Sequence, residues 1–246
     1  MQKKRHMKVN VIMPMLGGGT RMRGIQGTCK PLMTLPTGER FFMKSLQSLA
    51  NYDIQDLYLV VLTDYFYQFS ELLPEIRALC GARAVHLIQH EPTRTPVETF
   101  RIGFERLWIS AERRNIPLFC LDCDVYGLIP EFWDVNLESG RLFWFPSDNP
   151  NKCYIETLPH NVSVVGKIAE KRVISNKAVI GAYLFEDITL LNRMIRYGGT
   201  DQPGRWEYIS DIFRHMLQGG VIIGASPVVG NVTNFGTIEE LEQYGK

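Results

Sequence analysis

The chain has 246 residues, 45% of them hydrophobic and 22% charged, with 27 lysines and arginines against 26 aspartates and glutamates. That length and apolar content suit one large domain, or one domain with a subdomain, and exclude a disordered or fibrous chain. A formal charge of +1 provides no global basic field for nucleic acid, so any phosphate binding has to be local. No apolar run of signal or membrane-spanning length follows the opening "KKRH", and a cytoplasmic protein without a membrane partner is expected. Five cysteines, an odd number, suit reduced thiols. Cys120 and Cys123 lie in the apolar "IPLFCLDCDV", with no second Cys/His pair at zinc spacing, so they are read as core.

The first strand expected is "VNVIMPML", ending at Leu16, and it runs straight into Gly17, Gly18, Gly19, Thr20 and Arg21. Three glycines exceed what a turn requires. Without Cβ atoms, their successive N–H groups can approach an anion closely, and Thr20 and Arg21 add a hydroxyl and a fixed positive charge. A Walker loop is absent, and Gly17, Gly19 and Gly24 meet the dinucleotide pattern only loosely, without its acidic partner. Lys30-Pro31-Leu32 then places a second cation in a turn stiffened by proline.

"RFFMKSLQSLAN" has helical spacing, and "LYLVVLTD" and "AVHLIQH" read as strands. The helix "PVETFRIGFERLWISAERR" follows, opened by Thr95 with Glu98 three residues on, a capping box with proline at the first helical position. "PLFCLDCDV" and "RLFWFP" complete the strands of the first half. Strands alternating with helices predict a largely parallel sheet covered on both faces. Asp122 and Asp124, alternate residues at the end of "PLFCLDCDV", would face one way and suit a hard cation such as Mg2+.

After about Pro150 the pattern changes. "VSVVGKIAEKRV" and "KAVIGAYLFED" are expected as antiparallel strands, then helices "ITLLNRMIRYG" and "WEYISDIFRHMLQGG". The strand "VIIGASPVV", a loop "GNVTNFGT" and a short helix "IEELEQYG" close the chain. Without an internal repeat or a low-complexity linker, residues 1–246 are read as one domain. Residues 8–150 would form the half that carries the glycine loop and 151–246 an elaboration of the same domain.

"LGGGTRMRGIQGTCKPLMTLPTGERFFMKSLQSL" resembles the opening of the sugar-1-phosphate nucleotidylyltransferases, which carry a glycine-rich loop ending in G-T-R, then K-P-L, then a helix. The resemblance continues in order along nearly the whole chain. It implies an α/β, Rossmann-like (GT-A-like), mostly parallel central sheet flanked by helices, with a smaller antiparallel substrate-binding elaboration. Leu16, Gly17, Gly18, Gly19 and Thr20 would wrap the nucleotide, with Glu98 and Thr99 at the base or sugar. Arg21 and Lys30 would neutralise the phosphates under attack. Asp124 would be the magnesium aspartate, assisted by Asp122, and Glu170, Lys171 and Gly181 would meet the sugar phosphate. Arg172 replaces the proline frequent after that lysine, and Asn234 stands where an aspartate commonly gives the second Mg2+ ligand.

The implied partners are a nucleoside triphosphate and a sugar 1-phosphate, joined to a nucleotide sugar and pyrophosphate for surface polysaccharide precursors. The base, the acceptor and any homo-oligomer stay open. The alternatives are cytidylyl transfer to phosphocholine or another phosphorylated small molecule, a D-x-D glycosyltransferase using Asp122 and Asp124, and a non-catalytic nucleotide-binding regulator.

Overall fold

The computed structural model describes residues 6–17, 29–131, 139–197 and 206–244. Strand β1 (Lys8–Pro14) buries Val9, Val11 and Met13 on one face and Ile12 on the other. A strand apolar on both faces belongs inside a sheet covered on both sides. It runs parallel between β2 (Asp53–Leu62) and β4 (Leu118–Leu121), and β3 (Ala84–His90) runs parallel along the outer side of β2. Helix α1 (Phe41–Leu46) buries Phe42, Met43 and Leu46 in the same core as Val9, Val11 and Met13. Helix α4 (Pro96–Trp108) packs Phe100, Phe104 and Leu107 with Ile12, Tyr58 and Val60 on the other face. A Cβ on Gly103 of α4 would lie 2.8 Å from Ile12 Cγ2, so glycine lets this helix settle directly onto β1. Two short helices, α2 (Phe66–Glu71) and α3 (Leu73–Cys80), connect β2 to β3.

Beyond β4 the sheet changes direction. Strand β9 (Lys177–Phe185) lies antiparallel to β4, with Leu118 opposite Phe185 and Leu121 opposite Ala182. Next come β6 (Gly140–Pro146), β10 (Ile223–Pro227), β8 (Asn161–Glu170) and β7 (Cys153–Leu158), in that order across the sheet. Strand β7 returns to β9 at Tyr154 opposite Ala178, which closes β9, β6, β10, β8 and β7 into a ring. The remaining helices are α5 (Ile188–Tyr197), α6 (Ile209–Gln218) and α7 (Ile238–Tyr244).

The expected α/β sheet with a smaller antiparallel elaboration is present in part: the antiparallel strands join the parallel ones in one mixed nine-stranded sheet, so the sheet is not mostly parallel. Its parallel part is β3-β2-β1-β4, together with the β6–β10 pair. The cause is visible in the connections. The two-residue link between β7 and β8 is too short for a crossover helix, and those two strands pair antiparallel. "RLFWFP" is β6 and lies between β9 and β10.

Three local expectations also change. "PLFCLDCDV" is two strands, because the backbone bends at Asp122–Asp124 between β4 and β5 (Val125–Leu128). "GNVTNFGT" is mostly strand β11 (Val229–Asn234), paired antiparallel with β5. Cys153–Leu158, read as no element, is β7. All five cysteines are free thiols, and among the described residues no helix is long and apolar enough to cross a membrane.

Candidate active site

The bend after β4 is pinned from both sides. Asp122 N–H donates to the Gly181 carbonyl at 2.8 Å, Val125 N–H to Ser45 Oγ at 3.2 Å, and Phe235 N–H to the Asp124 carbonyl at 3.0 Å. The β5–β11 pairing sets Asn234 opposite Val125, which brings the turn after β11 beside the acidic bend. Lys30 opens a one-turn helix whose Pro31 and Leu32 are buried, and its Nζ donates to Asp124 Oδ2. Phe41, just after this turn, packs edge-on against Phe235 with ring centroids 4.9 Å apart, so the lysine turn and the Asn234 turn share one apolar anchor.

Lys30, Asp122 and Asp124 line a cleft of ≈1390 Å3. Ligand pockets are commonly 300–1,000 Å3, so this one has room for two substrates. Desolvation pushes the Asp122 carboxyl up from 3.8 to about 7, and the neighbouring Asp124 carboxylate adds to the rise. The Lys30 and Lys152 ammonium groups pull it the other way. Gly181 is conformationally required: its φ is +86°, and any Cβ there would collide with the Asp122 carboxylate.

The opposite wall comes from the ring. Glu170 ends β8, and its Oε2 accepts the Ser210 hydroxyl at 2.6 Å. Lys171 follows in the left-handed region, with φ +51°, and its Nζ lies against the Tyr208 hydroxyl and 4.7 Å from that ring's centroid. Asp211 Oδ2 accepts the N–H groups of Glu207 and Tyr208, which fixes the start of α6 against these residues. Lys152, just before β7, donates to Asn234 Oδ1 at 2.7 Å and lies 3.4 Å from Glu240 Oε1.

Of the residues singled out in the sequence, Gly17, Lys30, Thr99, Asp122, Asp124, Glu170, Lys171, Gly181 and Asn234 line this one cleft. Gly18, Gly19, Thr20 and Arg21 lie outside the described residues. The Leu16 side chain is 1% exposed and belongs to the core, so only its backbone can face a ligand. Glu98 does not line the cleft. Its carboxylate accepts the Arg94 N–H at 2.8 Å while its own N–H donates to Thr95 Oγ1 at 3.2 Å, which is helix capping. Asn234, expected as a second metal ligand, accepts a hydrogen bond from the Lys152 ammonium at its Oδ1. Lys152 and Glu240 were missed. The "TIEE" after Gly236 is a capping-box pattern, and Glu240 Oε2 does accept the Gly236 and Thr237 N–H groups at 3.0 and 3.2 Å.

No protein-family model and no curated protein matches the chain. Solved structures do. A nucleoside-diphosphate-sugar pyrophosphorylase from Vibrio cholerae RC9 is 21% identical, with a TM-score of 0.76 over 95% of this chain and 98% of that one. An inositol-1-phosphate CTP transferase from T. maritima is 14% identical, with a TM-score of 0.72 over 99% and 96%. A UDP-glucose pyrophosphorylase, solved with UDP-glucose, is 14% identical, with a TM-score of 0.73 over 97% of each chain. At these identities the likeness is one of fold, and it extends along almost the whole of each chain.

Proposed function

We propose that the protein transfers a nucleotidyl group from a nucleoside triphosphate to a sugar 1-phosphate, giving a nucleotide sugar and pyrophosphate. The observation that carries this reading is the convergence of Lys30, Asp122 and Asp124 from one wall with Glu170, Lys171 and Gly181 from the other in a single cleft. The fold shared with a nucleoside-diphosphate-sugar pyrophosphorylase and a UDP-glucose pyrophosphorylase supports it.

An oxygen of the acceptor phosphate bonds to the α-phosphorus as the bond from that phosphorus to the bridging oxygen breaks, and pyrophosphate leaves. A phosphate dianion is already nucleophilic, so the chain's task is alignment and charge neutralisation rather than proton removal. Lys30 is the cation for the α-phosphate, and the sequence pattern implies Arg21 as a further phosphate-neutralising residue. Lys171 holds the acceptor phosphate, and Glu170, fixed by Ser210, accepts hydrogen bonds from acceptor hydroxyls.

The donor set suits Mg2+ in part. Among the described residues no group of three His, Cys, Asp or Glu side chains is gathered as a metal site, but Mg2+ commonly needs only one or two carboxylates beside substrate phosphates. Asp124 and Asp122 provide two, close enough that the Asp124 carboxylate raises the proton affinity of Asp122. The ion bound there supplies positive charge to the phosphate oxygens. Asn234, engaged by Lys152, is not part of this set.

A phosphocholine acceptor is the weaker reading. Its quaternary ammonium would need an aromatic face, and the Tyr208 ring of the cleft already carries the Lys171 ammonium. The test is pyrophosphate release with Mg2+, pairing ATP, CTP, GTP and UTP with sugar 1-phosphates and phospho-alcohols. Release that requires one triphosphate and one acceptor together names both substrates. Triphosphate binding without release for any acceptor would favour a regulatory module, and a chain that binds no triphosphate would end the nucleotide reading.

A further inference from the structure

We propose that Lys152 is a phosphate-binding residue of the cleft, its ammonium group acting on the triphosphate as a second cation built into the chain. The proposal rests on the nucleotidyl-transfer reading above. It starts from how firmly the backbone of Lys152 is held. Its N–H donates to the Asn149 carbonyl at 3.2 Å, and Asn151 N–H donates to Asn149 Oδ1 at 2.9 Å, a local turn that orders the approach to β7. On the other side, the Lys152 carbonyl accepts the Lys171 N–H at 3.0 Å. Two lysines are thereby tied at the adjoining ends of β7 and β8, one aimed toward Tyr208 and the other toward Asn234.

The Lys152 ammonium has one uncharged partner and one ion-pair partner. Asn234 offers an uncharged oxygen, where an aspartate would have taken up the positive charge. Glu240 directs one carboxylate oxygen to the cap of α7 and only the other, at 3.4 Å, toward Lys152. These contacts engage two of the ammonium group's three donors. The side chain is 22% exposed and lines the cleft, so its third donor can meet an oxygen of a ligand there.

Charge sets the need. Asp122, Asp124 and Glu240 line the cleft with Lys152, and carboxylates there repel a polyanionic nucleotide, so an ammonium group among them offsets part of that repulsion. A purely structural role is the rival: Lys152 would then only tie the turn at Asn149–Lys152 to β11 and α7.

Equilibrium binding of α,β-methylene triphosphate analogues in excess EDTA separates these readings, because no divalent ion contributes. Lys152→Met is expected to weaken metal-free binding about tenfold or more, the scale of one charge-assisted hydrogen bond, while Lys152→Arg keeps most of it. Glu240→Gln, which leaves Lys152 in place, is expected to tighten metal-free binding. A Lys152→Met chain that folds normally and binds as tightly as the parent overturns the proposal, as does a Glu240→Gln chain that binds no more tightly. If Lys152→Met fails to fold, Lys152→Gln, which keeps a donor for Asn234 Oδ1, is measured in its place and decides on the same terms. A parent that binds no analogue, with or without Mg2+, overturns the nucleotide reading and this one together. Binding that Lys30→Ala abolishes and Lys152→Met leaves intact overturns this one only.

Discussion

The two walls of the cleft hold their polar groups by different means. On the wall formed by β1 and β4, Lys30 and the acidic bend are gripped by backbone hydrogen bonds and by the Phe41–Phe235 contact, and packing forces charge into a desolvated place. On the ring wall, Glu170, Lys171 and Lys152 sit at strand ends and are held mainly by other side chains, namely Ser210, Tyr208, Asn234 and Glu240. A rigid and electrically strained wall suits the invariant chemistry of phosphorus. On the proposed reaction, the side-chain contacts that hold Glu170 and Lys171 suit the choice of acceptor, while Lys152 at the edge of the same wall serves the triphosphate.

The most damaging single change to this contrast is expected at Lys30. Lys30→Ala removes the cation from the strained wall and leaves Asp124 without it, so pyrophosphate release should fall by about 10²–10³-fold with triphosphate and acceptor both saturating. A smaller loss would mean that the strained wall is not where catalysis is concentrated. Gly181→Ala comes next. The substituted residue would have to adopt φ +86° with its Cβ against the Asp122 carboxylate, costing about 2 kcal/mol or more, readable in urea denaturation. An unchanged midpoint would show that the bend can yield.

A pH series tests the strain itself. With its carboxyl raised from 3.8 to about 7, Asp122 binds a proton more tightly in the folded chain than in the unfolded one. Its effect on stability is nil below about pH 4, grows increasingly unfavourable as pH rises through 7, and is constant beyond. Asp122→Asn should therefore lose less stability than the parent between pH 5 and pH 8 in thermal unfolding. Equal losses in the two chains would remove Asp122 as the source of the strain. The smallest effect is expected at Glu98. Glu98→Ala should cost roughly 0.5–1 kcal/mol through the weakened cap of α4 and leave the KM for triphosphate unchanged. A raised KM would return Glu98 to the nucleotide site.

Much of the strained wall was legible in the sequence because its signals are local. Pro31 and the buried Leu32 fix the lysine turn, and Asp124 ends an apolar run. Even so, spacing predicted two carboxylates on one strand face, whereas the chain bends between them. The ring wall was hidden for a different reason. Strand β9 is buried along nearly its whole length, and an apolar run reads the same whether it runs parallel or antiparallel to its neighbour. Lys152 carries no motif at all. Its role arises from meeting Asn234, 82 positions away, once β5 and β11 have paired. Glu98 illustrates the converse, since a correctly read capping box was also assigned a ligand that its carboxylate does not face.

Strand β9 also decides how the site can admit and release its reactants. It is hydrogen-bonded to β4 on one side and to β6 on the other, and it meets β7 at one end. Swinging the walls apart like jaws would tear this ladder, at a cost comparable to local unfolding. Traffic through the cleft therefore has to be managed by loops and side chains around a fixed frame. An acceptor of different bulk would be accommodated by trimming or enlarging individual residues at the rim, and engineering the range of acceptors becomes a problem of side-chain size rather than of domain angle.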